Sequence, residues 1–243
     1  MGFIVDIFNQ VLYLPLFNAL IWLYNIIPGN DLGIAIIILT VLIRFIFYPL
    51  SRKAIRSQKV MSELQPKIKE IQKKCKSKEE QMKQTMVLYK EHKINPVTGC
   101  LPILIQLPIL LALYRVFFTG ISDPEKLNNL YSFVAQPESL NVIFLGLIDL
   151  SERSIFLALL AGFFQFVQSK MIMPKKSASQ KQMKIGNIDF SSLMGQQMVY
   201  FMPLITIFIA WNLPAALPLY WVVVTVFGVV QQYFTKTLIN QKI

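Results

Sequence analysis

The sequence predicts an all-α membrane protein, with five transmembrane helices around a hydrophilic groove, an N-terminal interfacial helix and a cytoplasmic two-helix coiled-coil hairpin. Of its 243 residues, 54% are hydrophobic and 15% are charged, whereas soluble domains carry about 25% charged residues. Apolar stretches of about 20 residues recur, which is the length that crosses a bilayer core as a helix. Strands of a transmembrane barrel would instead alternate over about ten positions, and the sequence contains no such segments.

Five apolar segments divide the chain into membrane spans and polar connections. The predicted spans cover residues 32–50, 97–118, 154–172, 198–212 and 217–235. The connections are a polar segment at 51–96, an outer-side loop at 119–153, a cytoplasmic loop at 173–197 and a short tail at 236–243. Since a helix closes its own backbone hydrogen bonds, it is the simplest structure for each span.

Residues 1–31 predict a helix that lies at the outer membrane interface. Residues 3–27 are mostly apolar, but several polar side chains interrupt them. Asp6, Asn9 and Tyr13 fall on one helical face, which is typical of a helix lying in the interface plane. A sixth span across the membrane is the alternative.

The polar segment at 51–93 differs in character from the spans, with 13 Lys or Arg residues and five Glu residues. Its apolar residues recur at spacings of three and four, which is the pattern of a coiled-coil seam. The seam consists of Met61, Leu64, Ile68, Ile71 and Cys75, and a shorter stripe consists of Met82, Met86 and Tyr89. A turn at Lys76-Ser77-Lys78 would separate the two helices. We therefore expect a helical hairpin outside the membrane, with its lysines in water.

The distribution of charge predicts the orientation of the chain. Segments 51–93 and 173–197 hold 13 and four basic residues, whereas residues 1–31 hold none and the 119–153 loop holds two. Because basic loops stay in the cytoplasm, we expect the N-terminus outside and the C-terminus in the cytoplasm. These loops account for the net charge of +11, so we expect no direct sequence-specific contact with nucleic acid.

The residue types argue against an enzyme, a metal centre or a cofactor. His92 is the only histidine, so neither a zinc HExxH site nor a Ser–His pair within the membrane can form. Cys75 and Cys100 lack metal-ligand spacing and are expected to be free thiols. The sequence has no glycine-rich phosphate loop, and the five spans lack the acidic residues that bind ions in cation-coupled transporters.

Arg44 is the charged residue of the first span and the most informative candidate for a functional site. It is the thirteenth residue of that span, about 18 Å along the helix at 1.5 Å per residue. An arginine at such a depth costs from about 3 to more than about 10 kcal/mol, and the five spans contain no Asp or Glu to pair with it. Its side chain therefore either reaches toward the cytoplasmic interface or faces a water-filled cavity within the bundle.

Polar residues of the spans could line such a cavity. Thr40 and Tyr48 lie four residues on either side of Arg44 and share its helical face. The further candidates are Gln106 in the second span, Gln165 and Gln168 in the third, and Trp221, Thr225, Gly228 and Gln232 in the fifth. Each glutamine could instead form an ordinary interhelical hydrogen bond, worth about 0.6 kcal/mol. Their convergence with an arginine that lacks an acidic partner favours the cavity.

The run NPVTGCLPILIQLPILLALY at residues 95–114 resembles the second conserved span of the YidC/Oxa/Alb membrane insertase family. Further similar features are Arg44 followed by Pro49-Leu50, the sequence LQPKI at 64–68, Met202-Pro203 and the sequence LYW at 219–221. The likeness extends over residues 3–235. Within the family, the chain resembles the short bacterial form, which lacks a large periplasmic domain. Two departures are Pro214-Ala215-Ala216-Leu217, where the family has Pro-x-Gly-Leu, and Thr225, where the family has asparagine.

The resemblance implies an insertase and chaperone that inserts hydrophobic segments of nascent proteins into the bacterial plasma membrane, alone or beside the Sec translocon. Arg44 would lie in a groove open to the cytoplasm and to lipid, and Thr40 and Trp221 would touch the passing segment. The hairpin would recruit clients and bind the ribosome weakly, since the tail keeps only Lys236 and Lys242. A lipid scramblase or a channel-like membrane protein is the alternative.

Overall fold

The structure is a computed structural model, which describes residues 2–75, 77–92, 94–95, 97–120, 130–172 and 190–240. The helices in this part are α1 (Gly2–Phe8), α2 (Leu14–Ile26), α3 (Leu32–Ile46), α4 (Tyr48–Lys74), α5 (Lys78–Glu91), α6 (Val97–Arg115), α7 (Ile155–Ile172), α8 (Phe190–Trp211) and α9 (Ala216–Asn240). Two π-helical segments, Asn9–Tyr13 and Val116–Gly120, and the strands β1 (Ile143–Phe144) and β2 (Ile148–Asp149) complete it. The chain is therefore mostly helical, as the sequence predicts.

Three helical stretches within the described residues are long and apolar enough to cross a membrane. They are Val5–Ile26, Ile155–Ile172 and Ala216–Thr235, and the bent pair of α3 and α4 adds a fourth if it forms one span. Shorter apolar helices run from Leu104 to Phe118 and from Val199 to Trp211. A helical membrane protein with about three to four membrane-spanning helices is thus confirmed, and the number of five spans stays a prediction.

The helix that begins the first predicted span is interrupted before that span ends. α3 stops at Ile46, and α4 starts at Tyr48 after a bend of 69°. Pro49 has no N–H to donate to the carbonyl of Phe45, so the helical hydrogen-bond ladder is interrupted at this point. Residues 48–50, which hydropathy assigns to the span, therefore begin the polar helix α4.

α4 and α5 pack together through a small apolar contact. Leu64, Ile68 and Leu88 are buried together, and the first two belong to the predicted seam. Ser77 lies between the helices, and its hydroxyl accepts the backbone N–H of Glu80 at 3.1 Å. This bond satisfies one of the free donors in the first turn of α5. The pair has a two-helix form, and its location in the cytoplasm stays a prediction.

The largest apolar core lies at the end of the molecule where α3 and α9 begin, which we call the outer end after the predicted orientation. Phe17, Leu20 and Ile21 of α2 are each 0% exposed in this core. The core also contains Leu32 at the start of α3, Leu217 at the start of α9, and Val134 and Leu150 from the connection between α6 and α7. One apolar core therefore ties α2 and this connection to the first turns of α3 and α9.

The connection between α6 and α7 contains a short β-hairpin, which is a departure from the all-α prediction. β1 and β2 pair antiparallel, with Phe144 opposite Ile148. Between them Leu145 and Gly146 have φ values of 51° and 72°, as in a type I′ turn. The sequence did not indicate these strands, because two residues are too few to produce a visible alternation of polar and apolar positions.

Two glycines allow α7 to lie close to α8 and α9. A Cβ added at Gly162 would come within 2.2 Å of the side chain of Ile207, and one added at Gly228 within 2.2 Å of the amide nitrogen of Gln168. Small residues let membrane helices approach closely. The side chain of Gln168 is therefore fixed against α9.

Parts of the predicted connections lie outside the described residues. These parts are Lys76 of the predicted turn, residues 93 and 96 of the polar segment, 121–129 of the outer-side loop, 173–189 with the four lysines of the predicted cytoplasmic loop, and 241–243 of the tail. Residues 190–197 of that predicted loop are helical and begin α8, whereas 236–240 of the predicted tail extend α9. Both helices are therefore longer than the spans predicted at 198–212 and 217–235.

Candidate functional site

A hydrogen-bonded chain of three side chains joins α3, α6 and α9. Arg44 donates from Nη2 to Oε1 of Gln106 at 3.2 Å. The amide nitrogen of Gln106 in turn donates to the hydroxyl oxygen of Tyr220. Tyr220 is 2% exposed and Arg44 is half-buried, so the chain leads from a partly accessible cation to a hydroxyl enclosed by protein.

Arg44 has a neutral partner rather than a carboxylate. Among the described residues, no Asp or Glu forms a salt bridge with its guanidinium. The amide oxygen of Gln106 carries only a partial negative charge, so it orients the guanidinium without cancelling its charge. Because arginine stays protonated in proteins, this position holds a permanent positive charge. The arrangement suits a ligand with negative or strongly polar groups.

Thr40 and Thr225, both 2% exposed, form hydrogen bonds within their own helices. The hydroxyl of Thr40 donates to the carbonyl of Ile36 at 2.6 Å. The hydroxyl of Thr225 lies 2.9 Å from the carbonyls of both Trp221 and Val222. Bonds of this kind satisfy a hydroxyl inside its own helix, so neither threonine serves as a partner of Arg44 in this structure.

Gln165, Gln168 and Trp221 are half-buried. The side chain of Gln168 lies against Gly228, so these two candidates from α7 and α9 are neighbours. The described residues show no hydrogen bond from any of these side chains to Arg44. The candidates therefore do not form one hydrogen-bonded cluster, and Gln106 is the predicted glutamine that the structure brings to the arginine.

Tyr48 and Gln232 belong to the opposite, inner end of the molecule. Gln232 is 6% exposed, and its Oε1 has no hydrogen-bond partner within the described part of the chain. The hydroxyl of Thr235, which is 2% exposed, likewise has none there. Tyr48 is tied to α9 through its backbone carbonyl, which accepts a hydrogen bond from Nε2 of Gln231 at 3.2 Å. The inner end of α9 is thus polar and partly unsatisfied.

Sequence reasoning did not select Tyr220, Gln231 or Thr235. Tyr220 points about 100° away from the predicted polar face of Trp221, because the two residues are adjacent on the helix. Only the rotation of α9 in the bundle brings the hydroxyl of Tyr220 to Gln106. One signal was present, because a tyrosine buried in an apolar span needs a partner for its hydroxyl.

The arrangement offers binding groups rather than covalent chemistry. Arg44, Gln106 and Tyr220 together supply one permanent charge and several hydrogen-bond donors and acceptors. In the part of the chain that the structure describes, no group of three or more His, Cys, Asp or Glu side chains could hold a metal ion.

Comparison with known proteins decides the family. Residues 22–242 match the family model described as the 60Kd inner membrane protein. A membrane protein insertase YidC from Fusobacterium nucleatum is 36% identical over 206 residues, which cover 84% of this chain and 86% of that protein. The chain belongs to the YidC family of membrane protein insertases. As a member, it is an insertase rather than an enzyme, and it is a multi-pass protein of the bacterial inner membrane.

Other members of the YidC family are similarly related. MisCA of Bacillus subtilis is 34% identical over 217 residues, covering 86% of this chain and 72% of that protein. YidC of Oceanobacillus iheyensis is 36% identical over 230 residues, covering 90% and 80% respectively. The fold is similar to the crystal structure of an active YidC insertase, with a TM-score of 0.58 at 24% identity. That match covers 93% of this chain and 46% of the crystallised one. The family resemblance seen in the sequence is confirmed.

Proposed function

We propose that this protein inserts hydrophobic segments of nascent proteins into the bacterial plasma membrane through a polar groove centred on Arg44. The groove is surrounded by five transmembrane helices and is open to the cytoplasm and to lipid. The main support is the hydrogen bond from Arg44 to Gln106, since a neutral partner leaves the charge of the arginine available to a client.

The walls of the proposed groove come from several spans. Its centre is the chain of Arg44, Gln106 and Tyr220. The other lining residues are Thr40 and Tyr48 of the first span, Gln165 and Gln168 of the third, and Trp221, Thr225 and Gln232 of the fifth. The contact of Gln168 with Gly228 supports this set, because it holds a polar side chain of α7 at the surface of α9.

The proposed topology has the N-terminus outside, α2 at the outer interface and the C-terminus in the cytoplasm. Contacts along the N-terminal helix support the interfacial position over a sixth span. Oδ1 of Asn9 accepts a hydrogen bond from Arg115, near the outer end of α6, at 2.6 Å. The side chain of Asn25 donates to the carbonyl of Ala135, in the outer connection, at 2.7 Å. Asn9 and Asn25, near the two ends of the N-terminal helical stretch, therefore both contact the outer end of the bundle. The two ends of a helix that spans the membrane would contact opposite ends of the bundle.

The proposed mechanism needs no nucleotide. The basic helices α4 and α5 recruit the nascent chain and contact the ribosome weakly, and the protein acts alone or beside the Sec translocon. The polar flank of the client enters the groove and is attracted to Arg44, so it crosses a shorter apolar distance. Transfer of about 20 apolar residues into lipid then supplies the driving force. A chaperone role in folding the inserted client uses the same surfaces.

Charge reversal at Arg44 tests the proposal. The client carries an acidic outer tail, and its insertion is measured by protease protection in cells depleted of their own insertase. We expect Arg44→Glu to lower the inserted fraction at least about tenfold, since like charges brought together cost several kcal/mol. Arg44→Lys keeps the charge and should retain most insertion.

The matched control is Arg153→Glu, which makes the same charge change at an exposed outer-side residue and should leave insertion unchanged. Normal insertion by Arg44→Glu, at a normal protein level, would show that the arginine does not attract the client. Photo-crosslinkers at Thr40 and Trp221 should capture a stalled nascent chain. Rapid lipid exchange in vesicles without any client, abolished by Arg44→Glu, would instead favour a lipid scramblase.

A further inference from the structure

The turn between β1 and β2 is apolar, although polar residues and glycine are usual in turns. We propose that this turn, formed by residues 144–147, inserts into the outer leaflet of the bilayer and fixes the depth of α3. The inference rests on the outer location of the start of α3 in the proposed function. It concerns a surface that the groove does not use, and its ligand is the acyl-chain region of lipid.

The backbone of this turn is one that its sequence does not favour. The N–H of Leu147 donates to the carbonyl of Phe144 at 3.0 Å, and Leu145 and Gly146 have φ values of 51° and 72°. A type I′ turn of this kind prefers Asn-Gly or Asp-Gly, because a bulky side chain is strained in the left-handed region. Leucine at position 145 therefore lowers local stability, and an apolar surrounding for its side chain would offset that loss.

The protein itself does not provide this apolar surrounding. Leu145 is 59% exposed, Leu147 is 84% exposed, and Ile143 on β1 is 45% exposed. Exposed apolar side chains that are grouped in this way mark a surface for a partner or a membrane. Removing them from water is favourable in proportion to their apolar area, so the turn gains stability when lipid covers it.

The turn is also held firmly against the first turn of α3. Oδ2 of Asp31 accepts the N–H of Leu145 at 2.7 Å, while its Oδ1 accepts the N–H groups of Gly33 and Ile34. The ring of Phe144 lies over Gly33, where an added Cβ would come within 2.2 Å of it. The carboxylate of Asp31 thus caps α3 and fixes the turn, so the β1–β2 hairpin and α3 move together.

Lipid is the occupant that this position favours. In the proposed topology α3 enters the membrane at the turn of helix that Asp31 caps, so the hairpin lies where the chain passes from water into the bilayer. Residues 142–148 carry no charge, which removes the main cost of entering the leaflet. The proposed client path at Arg44 lies about 18 Å further along α3, which separates the client from the hairpin.

Site-directed labelling tests the depth of the turn. An NBD fluorophore is attached to Leu147→Cys in a variant in which the native Cys75 and Cys100 are replaced by serine. The labelled protein is reconstituted into vesicles of phosphatidylethanolamine and phosphatidylglycerol. We expect nitroxides on the acyl chains to quench this label at least about twofold more than aqueous iodide does. Glu138→Cys, at an exposed charged position of the same connection, is the matched control and should show the reverse order. Quenching by iodide at position 147 that equals the control overturns the proposal.

A second variant keeps the turn while removing part of its apolar surface. Asparagine is favoured in a type I′ turn, so Leu145→Asn should fold and preserve the backbone. We expect iodide quenching of the label at position 147 to rise about twofold in this variant, because one of the inserting side chains is lost. Unchanged quenching would show that Leu145 does not hold the turn in lipid and would count against the inference.

Two further measurements separate this inference from the proposed function. Lys78→Cys, at the exposed start of α5, should resist an impermeant thiol reagent added to whole cells. Labelling of position 78 from outside the cell would overturn the proposed orientation. Protection of position 78 together with exposure of position 147 to water would overturn only the inference about the β1–β2 turn. A photo-crosslinker at position 147 should form adducts with lipid. Adducts with a nascent client instead would contradict lipid as the occupant.

Discussion

The outer and inner ends of the molecule are built differently. At the outer end Phe17, Leu20 and Ile21 are each 0% exposed, and side chains of α2 bind the backbone of the connection between α6 and α7. At the inner end the paired helices α4 and α5 bury only a small cluster, made of Leu64, Ile68 and Leu88 in the described part of the chain. The first end is a continuous core, whereas α4 and α5 meet through a small apolar contact.

The two ends also differ in how their polar groups are satisfied. Oδ1 of Asn18 accepts the N–H of Tyr131 at 2.6 Å, and the hydroxyl of Tyr24 accepts the N–H of Asn141 at 2.7 Å. At the inner end of α9, by contrast, Oε1 of Gln232 has no partner among the described residues. Regions with few buried contacts open at a lower cost in free energy than regions inside a core. The difference indicates that the outer end is the more rigid of the two, and in the proposed function the inner end is the one that admits a client.

The largest effect is expected from emptying the outer core. Phe17→Ala should lower the free energy of unfolding by about 3–5 kcal/mol, because it leaves a cavity at a fully buried site. Leu88→Ala is the matched change at the inner end and should speed hydrogen exchange only within α4 and α5. Thermal unfolding and hydrogen exchange in detergent measure both. An equal loss of global stability in the two variants would remove the distinction between the ends.

The next effect concerns the carboxylate of Asp31, which links the β1–β2 hairpin to α3. Asp31→Ala removes the acceptor of three backbone N–H groups, so we expect a loss of about 2–3 kcal/mol in stability. Asp149→Ala is the control, since Asp149 is exposed and its carboxylate accepts local hydrogen bonds from Ser151 and from the backbone of Glu152. Loss of stability in the control to the same extent would mean that Asp31 has no special role.

A smaller effect is expected where Phe144 lies over Gly33. Gly33→Ala should cost about 1–2 kcal/mol, because the added Cβ overlaps the ring and the packed hairpin must shift. Phe144→Leu should recover part of that loss in the double variant, since the smaller side chain leaves room for the methyl group. A double-mutant cycle of thermal unfolding measures the coupling, and purely additive losses would contradict a direct contact.

The smallest effect has the opposite sign. Thr235→Val removes a buried hydroxyl that lacks a partner among the described residues, so we expect a gain of about 1 kcal/mol in stability. Thr225→Val is the matched control, because Thr225 is equally buried at 2% exposure but its hydroxyl is hydrogen-bonded. It should show no gain. Equal changes in both variants, measured by thermal unfolding, would show that the inner end of α9 is as well satisfied as the rest of the helix.

The sequence by itself determined the class of the protein and its family, and it selected Arg44, the centre of the proposed groove. Hydropathy depends only on composition along the chain, so it indicates apolar helices before any packing is known. Arg44 was visible for the same reason, because a charge inside an apolar stretch needs no contact to be recognised as costly. The run at residues 95–114 was long enough to identify the family without a structure.

The tertiary structure alone decided which polar groups meet. Arg44 binds Gln106, which is 62 residues away, and Gln106 binds Tyr220 after a further 114 residues. Such pairs depend on the rotation and height of each helix in the bundle, which hydrophobic periodicity leaves undetermined. The β-hairpin fixed by Asp31 likewise depends on contacts between distant segments, whereas the end of α3 at Ile46 follows from Pro49 in the sequence. Strands of two residues give little signal along the chain, and long-range contacts hold them in place.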